Sequence, residues 1–379
     1  MRVCIVTPYD LSHEGGVNRH ACSLARALGQ QGHEAEVIGP ASGEVPEGCH
    51  ALAGVLPVRA NGSVARIGLL VPPRVTRAYL ASRAFDIIHV HEPIVPGPCR
   101  HALRFAGAVP VVATFHAAAD RENPLQRLLR RVAALGFTRI TRAIAVSREA
   151  KRFARTCYRG RTTVIPNGVD LSRFRAGVDA AALAARAPQP HQPLSILFVG
   201  RYGESRKGLG VLLEAMALLS ARGLAARLEV VGDGPAERHA AAAERLGVRF
   251  LGRLPDAALA ARYAEADVFC APSLGGESFG MVLVEAMASG CPVVASALPG
   301  YAEAARGAAL LATPGDPAAL AGALWQAGTD LALRARLAAR GRARAEALAW
   351  SRIALRVSHV YRSALDEAAA GAVAEAWPA

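Results

Sequence analysis

Two glutamates and a cluster of cations are the residues of this chain best placed to do chemistry. Glu277 and Glu285 stand eight positions apart in Gly275-Gly276-Glu277-Ser278-Phe279-Gly280-Met281-Val282-Leu283-Val284-Glu285-Ala286-Met287. The apolar run 266–272 predicts a strand, the glycine pair a tight turn, and 278–289 a helix stopped by Gly290, ahead of a second strand over 292–295. A strand–turn–helix unit aims free backbone N–H groups and the positive end of a helix dipole at whatever binds above the strand's carboxyl end, most often a diphosphate. A spacing of eight is just over two helical turns, so one carboxylate can grip a sugar ring and the other a ribose of the same ligand. A dipole-favoured glutamate and a solvent-facing one would give the same letters. Glu285, however, is set among Val282, Leu283, Val284, Ala286 and Met287, where a carboxylate needs a polar partner.

The cations lie in Gly200-Arg201-Tyr202-Gly203-Glu204-Ser205-Arg206-Lys207-Gly208, at the carboxyl end of a strand predicted over 195–200. Lys207 is one of only two lysines, with Lys151, in a sequence that otherwise writes its positive charge as arginine. A compact ammonium in a glycine-rich loop, beside a bidentate guanidinium at Arg201, suits phosphate oxygens; solvated loop charge is the plain alternative. The loop is not a Walker A motif, because Lys207 precedes the second glycine and no Ser or Thr follows. Two strands, 85–91 and 111–115, each run into a histidine, His91 and His116, and strand ends are where doubly wound folds bind ligands. Asp256 reads either as the cap of a helix over 257–266 or as an acceptor for the edge of a purine base. Gly15-Gly16 after the first strand suggests a phosphate loop without completing a dinucleotide fingerprint.

The elements that must carry these residues alternate strand and helix along the chain, and 379 residues suit two domains. The expected organisation is an α/β domain over 1–172, a linker rich in Ala, Pro and Gln over 173–193, and a second α/β domain over 194–351. Helices should run on to about residue 367, with 368–379 frayed. Net charge is +10 over residues 1–170 and +3 over the remainder, so the first half is expected to face something anionic, an acidic membrane surface or a phosphorylated acceptor. Few aromatics and no basic recognition helix argue against nucleic acid. A helix over 72–83 mixes Arg74, Arg77 and Arg83 with Val75, Tyr79 and Leu80, as a lipid-facing or a merely solvent-facing helix would. No stretch approaches the apolar length of a membrane span, and Met1 leads directly into a strand, which implies a cytoplasmic chain. The seven cysteines form no C-x-x-C pair and read as reduced core residues with no metal role.

The Glu277-x7-Glu285 spacing resembles the signature of retaining, nucleotide-sugar-dependent glycosyltransferases of GT-B architecture. Gly15-Gly16-Val17, Asn61-Gly62-Ser63-Val64-Ala65-Arg66, His91-Glu92-Pro93, Ala113-Thr114-Phe115-His116, Ile165-Pro166-Asn167-Gly168-Val169-Asp170 and Arg206-Lys207-Gly208 extend the likeness along nearly the whole chain. Within that superfamily they resemble the phosphatidylinositol α-mannosyltransferases. The resemblance implies two Rossmann-like, doubly wound parallel-sheet domains facing a cleft, with a C-terminal helix near 352–368 packed back on the first. It implies a donor site of Gly16, Arg201, Lys207, Asp256, Glu277, Ser278, Phe279, Gly280, Met281, Val282 and Glu285. Arg201 and Lys207 would hold diphosphate, Glu277 mannose, Glu285 ribose and Asp256 guanine. His116 would orient the sugar and count with Arg201, Lys207 and Glu277 as catalytic. Tyr9, Asn18, Asn61 and Arg66 would bind the acceptor, and Arg74, Arg77 and Arg83 would face the membrane. Position 18 departs from the family's longer amide, and residues 117–122, Ala-Ala-Ala-Asp-Arg-Glu, replace its hydroxyl-rich run.

The activity implied is transfer of mannose from GDP-mannose to the inositol of an anionic phospholipid, by a peripheral protein at the inner face of the cell membrane. A UDP-sugar donor, another acceptor, or a nucleotide-sugar epimerase or hydrolase are the alternatives. No Asp-x-Asp occurs, so no cofactor is required by the sequence and no metal holder is evident; dependence on Mg²⁺ and the oligomeric state stay open.

Overall fold

The computed structural model describes residues 1–13, 15–60, 63–118, 134–175 and 193–376. It divides into two compact units, Met1–Gly168 with Trp350–Ala379, and Val169–Ala349.

In the first unit the chain runs through β1 (Arg2–Val6), α1 (Gly16–Gly29), β2 (Glu34–Pro40), β3 (Cys49–Leu52), the hairpin β4 (Leu56–Ala60) and β5 (Ser63–Ile67), α2 (Pro73–Ala81), β6 (Ile87–His91), α3 (Pro98–Phe105), β7 (Val111–Phe115), β8 (Ile140–Ala145), α4 (Arg148–Ala154) and β9 (Thr162–Val164). Seven of these strands form a parallel sheet in the order β3-β2-β1-β6-β7-β8-β9. Every residue of β6 and β7 is buried, which explains why they read as continuous apolar runs: a parallel sheet is covered on both faces. The core behind it gathers Val6, Val90, Phe115, Leu103 and Phe137.

The second unit opens with α5 (Leu171–Arg175) and continues through β10 (Leu194–Val199), α6 (Leu209–Ala221), β11 (Ala226–Val231), α7 (Ala240–Leu246), β12 (Val248–Gly252), α8 (Asp256–Glu265), β13 (Val268–Ala271), α9 (Met281–Ala288), β14 (Val293–Ser296), α10 (Pro299–Ala305), β15 (Ala309–Ala312), α11 (Pro317–Thr329) and α12 (Leu331–Ala347). Its six-stranded parallel sheet has the order β12-β11-β10-β13-β14-β15. The last helix, α13 (Trp350–Ala376), belongs to the first unit. There the Tyr361 hydroxyl meets His89 Nδ1 at 2.7 Å, inside the sheet, while His89 Nε2 meets Thr114 Oγ1 at 2.7 Å. No described helix is long and apolar enough to cross a membrane.

Several local expectations need correction. Residues 63–66 of the motif that begins at Asn61 lie in β5, paired antiparallel to β4 and docked on the loop after β1 through Asp10 N–H to Arg66 O at 3.0 Å and Gly68 N–H to Pro8 O at 2.9 Å. The C-terminal segment does not fray at 368 but stays helical to Ala376. Most of the expected linker, 176–192, lies outside the described residues. Among the cysteines, Cys4, Cys99, Cys270 and Cys291 are buried, whereas Cys22, Cys49 and Cys157 are only partly so, which corrects the expectation of uniformly core residues.

The most consequential correction is that helix α9 begins at Met281, three residues later than the pattern suggests. Gly280 is the reason: at φ 104° it sits in a left-handed conformation that delays the first helical turn. A Cβ there would also fall 2.5 Å from the Tyr301 ring. Gly280→Ala is therefore expected to cost about 2 kcal/mol, or roughly 5 °C in the Tm of the second unit. A melting curve unchanged from wild type would show that Tyr301 gives way.

Candidate active site

In open parallel sheets a ligand crevice forms where the strand order reverses, outside the carboxyl ends of the strands. The second unit reverses between β10 and β13, and the loops leaving these two strands are those that carry Arg201 to Gly208 and Ser273 to Gly280. Gly208 lets them meet: its φ is 74°, and a Cβ would fall 1.9 Å from the Pro272 carbonyl oxygen. Leu274 N–H then donates to Arg206 O at 2.7 Å, so the loops are laced together by backbone.

Across that seam Lys207 Nζ lies 2.6 Å from Glu277 Oε1, with Arg206 Nη1 at 3.1 Å and Ser273 Oγ at 3.2 Å from the same oxygen. Arg206 also reaches Glu204 at 2.7 Å, and Arg201 pairs with Glu204 at 3.0 Å. Three cations thus share two carboxylates, and the surplus positive charge favours an anion. Lys207 and Glu277 are largely covered, at 17% and 13% side-chain exposure, whereas Arg201 is 53% exposed. Sequence reasoning singled out Arg201 and Lys207 but gave Arg206 no role, although it bridges both acids.

Because α9 starts at Met281, Glu277 stands in the preceding loop and the two-turn relation between the glutamates does not hold. Glu285 is within the helix, 3% exposed, and the polar partner its apolar neighbours demanded is the Tyr263 hydroxyl, 3.3 Å from Oε2. Phe279 is a core side chain at 1% exposure, so only its backbone can face a ligand. Ser278, Met281 and Val282 are half-buried around the helix start. Asp256 does not cap α8, whose N-cap is Pro255. Its carboxylate is 53% exposed and is bonded by Arg173 of α5, an ion pair that eighty-three positions of separation hid.

The first unit reverses between β1 and β6, beside the loop 7–15 and the ends of β6 and β7. Asn18, in the first turns of α1, accepts from Thr7 Oγ1 at 2.8 Å and donates to Asp10 O at 2.7 Å and His13 O at 3.3 Å. Both its donors are spent on holding the loop, which leaves one lone pair of Oδ1 for the acceptor contact expected of it. Tyr9 pairs with Ile67 of the hairpin, which brings it beside Arg66, an exposed side chain. Gly15 and Gly16 leave open space where a Cβ would stand at the start of α1. Asn61 and residues 119–122 lie outside the described residues. Arg74 and Arg77 are exposed on α2, but Arg83 does not share that face. Its Nε is 3.5 Å from Glu36, and its guanidinium lies over the Tyr79 ring.

His116 is 8% exposed and belongs to a histidine cluster that no local motif announces. Its Nε2 is 2.9 Å from His91 Nδ1, and its ring stands edge-on to that of His20 at 4.8 Å. His20 in turn meets Asn167 Oδ1 at 2.8 Å. Burial holds all of these imidazoles neutral, lowering His20 to about 4 and His91 and His116 well below the usual histidine range. One nitrogen from each of His20, His91 and His116 lies within 4.8 Å of the others, a spacing a divalent ion could fit, although the bonds to His91 and Asn167 already occupy part of the set. The adjoining Glu92 is buried, and burial pushes its carboxyl up to about 7.

A doubly wound parallel sheet in each unit, with the candidate residues gathered at the carboxyl ends of its central strands, is a two-domain α/β architecture of nucleotide-binding type. A family model described as Glycosyltransferase Family 4 matches residues 14–173, and one described as Glycosyl transferases group 1 matches residues 193–330. The chain is 38% identical to a phosphatidyl-myo-inositol mannosyltransferase of Mycobacterium tuberculosis, over 96% of this chain and 97% of that protein. It is 33% identical to a D-inositol 3-phosphate glycosyltransferase of Frankia alni, over 94% and 96%. Its fold matches the sucrose-phosphate synthase of Thermosynechococcus elongatus with a TM-score of 0.74 at 24% identity, covering 96% and 99% of the two chains. The chain belongs to the GT-B glycosyltransferases.

Proposed function

We propose that this glycosyltransferase moves mannose from GDP-mannose to the inositol of phosphatidylinositol, with retention of configuration, as a peripheral protein on the inner face of the cell membrane. The observation that carries the reading is the end-to-end likeness to phosphatidyl-myo-inositol mannosyltransferases. The site chemistry supports it. Arg201 and Lys207 would take the diphosphate, and the backbone at Gly280 and Met281 would assist from the start of α9. Glu277 would bind the mannose hydroxyls once the diphosphate draws on Lys207, Glu285 the ribose, and Asp256 the guanine. Charge leaving on GDP would be met by these cations, and the departing phosphate itself would take the proton of the acceptor hydroxyl. In the first unit Tyr9, Asn18, Asn61 and Arg66 would hold the acceptor and His116 the sugar. Arg74 and Arg77, with Leu69 and Leu70 exposed just ahead of α2, would meet an anionic membrane.

A second reading keeps the donor chemistry but supplies a soluble inositol phosphate, and is favoured by the likeness to the D-inositol 3-phosphate glycosyltransferase. A thermal-shift panel of GDP, UDP and ADP, followed by mass spectrometry of products with phosphatidylinositol vesicles or inositol 3-phosphate, separates the two. Stabilisation by GDP and a mannosylated phospholipid are expected. A shift with UDP alone would sink the mannose assignment, and a product only with inositol 3-phosphate would move the acceptor to the soluble class.

A further inference from the structure

Glu92 follows the last residue of β6 and has a backbone conformation that side chains avoid. Its φ of 51° makes it one of two non-glycine residues with positive φ among the described residues. Such a conformation costs on the order of 1–2 kcal/mol and persists only where its surroundings hold it. Here they do: Glu92 N–H donates to Thr114 O at 2.8 Å, and Val95 N–H donates to Glu92 O at 3.0 Å. The turn sends the carboxylate across to the end of the neighbouring strand. Oε2 accepts two backbone N–H groups there, from His116 and from Ala117, each at 2.8 Å.

The rest of the environment is unusual for a carboxylate with only a structural duty. Glu92 is 3% exposed, and Oε1 is buried with no hydrogen-bond partner among the described residues. An unpaired oxygen of this kind costs about 1–3 kcal/mol, so the position is kept at the expense of stability. An apolar residue would remove the unpaired oxygen, and only glycine would remove the backbone strain. Immediately before it, His91 holds the His116 ring at 2.9 Å. The dipeptide at the end of β6 therefore grips His116 twice, His91 by the ring and Glu92 by the backbone.

We propose that Glu92 is a positioning residue for His116: its carboxylate fixes the backbone from which the His116 imidazole is presented to the sugar. This rests on the role given to His116 above. A displacement near 1 Å at a reacting group can cost on the order of 10²-fold in rate, which is the scale such a residue controls. Glutamine preserves the acceptor, since one amide oxygen can take both N–H groups, whereas alanine removes it.

The test uses the full chain, GDP-mannose and phosphatidylinositol vesicles, with Glu92→Ala, Glu92→Gln, His116→Ala and the Glu92→Ala/His116→Ala double variant. Glu92→Ala is expected to lower kcat by roughly 10²-fold with the donor KM within about threefold, and Glu92→Gln to stay within about fivefold of wild type. The double variant should fall no further than His116→Ala alone, because a residue that acts through another adds nothing once that other is gone. Amide hydrogen exchange should also quicken at residues 116–117 in Glu92→Ala, a readout that requires no turnover. An unchanged kcat in Glu92→Ala beside an impaired His116→Ala, losses that multiply in the double variant, or unaltered exchange at 116–117 would each overturn the proposal. Wild-type turnover in His116→Ala would instead overturn the site reading, while the exchange measurement still decides whether Glu92 holds that backbone. Should Glu92→Ala fail to fold, Glu92→Gln decides: near-wild-type kcat supports the assignment, and a loss as deep as that of His116→Ala overturns it.

Discussion

Replacing Lys207 with alanine is expected to lower kcat/KM for GDP-mannose by on the order of 10²-fold or more, with Arg201→Ala acting in the same direction. The two should not be equal. Lys207 is largely covered and lies 2.6 Å from Glu277, so its charge acts at low effective dielectric, while the half-exposed Arg201 is screened by water. The Lys207 variant also leaves Glu277 with Arg206 and Ser273 as neighbours, which should keep the loop folded and confine the loss to function. Arg206→Ala should fall between the two variants, because it takes one cation from each of Glu204 and Glu277 while Arg201 and Lys207 still pair with them. Steady-state kinetics with GDP-mannose check the series, and wild-type kcat/KM in both Lys207→Ala and Arg201→Ala would remove the cation clamp from the mechanism.

The second large effect is a loss of stability in acid, centred on the first unit. His20 is held at about 4 and His89 at about 3, and His91 and His116 also lie well below the ordinary value near 6.5, all chiefly because burial disfavours the imidazolium. A base whose folded value is depressed contributes stability above its unfolded value and loses it as the pH falls toward the folded one. The window therefore opens at about 6.5 and extends toward 4. Glu92 works in the opposite sense. Its carboxyl, pushed up to about 7 by burial in spite of two backbone donors, binds a proton more readily when folded, so its contribution is largest in acid and fades as the pH rises through 7. Four histidines against one carboxyl leave a net uptake of roughly three protons on unfolding between pH 5 and 6. The Tm followed by Trp350, whose ring stands edge-on to His20 at 4.9 Å, should drop steeply from pH 7 to pH 5. A flat profile would mean that water reaches these imidazoles.

The strands with unbroken chemical character were legible in the letters. β7 spans the predicted 111–115 and β13 lies inside the predicted 266–272, each an unbroken apolar run that is fully buried. Legibility failed where distance in sequence or a single backbone angle decides. The start of α9 depends on Gly280 resting against Tyr301, twenty-one positions on, and the fate of Asp256 on Arg173. His20 reads as one more residue of an amphipathic helix until the sheet brings His91, His116 and Asn167 around it. His116 could be picked out because it ends a strand. Glu92 stood in plain view beside His91, yet its reach to the next strand depends on a positive φ that no spacing rule encodes.

The bond between Tyr361 and His89 also orders events during synthesis. Residues 169–349, the whole second unit, leave the ribosome before α13 does, so that unit can close while the first still lacks a helix. Until residue 361 emerges, a buried imidazole in the middle of the first sheet has lost one of its two partners, and the surface that α13 covers stays open to water. The domain translated first is therefore the one completed last, and its nascent form is where a chaperone would find exposed core.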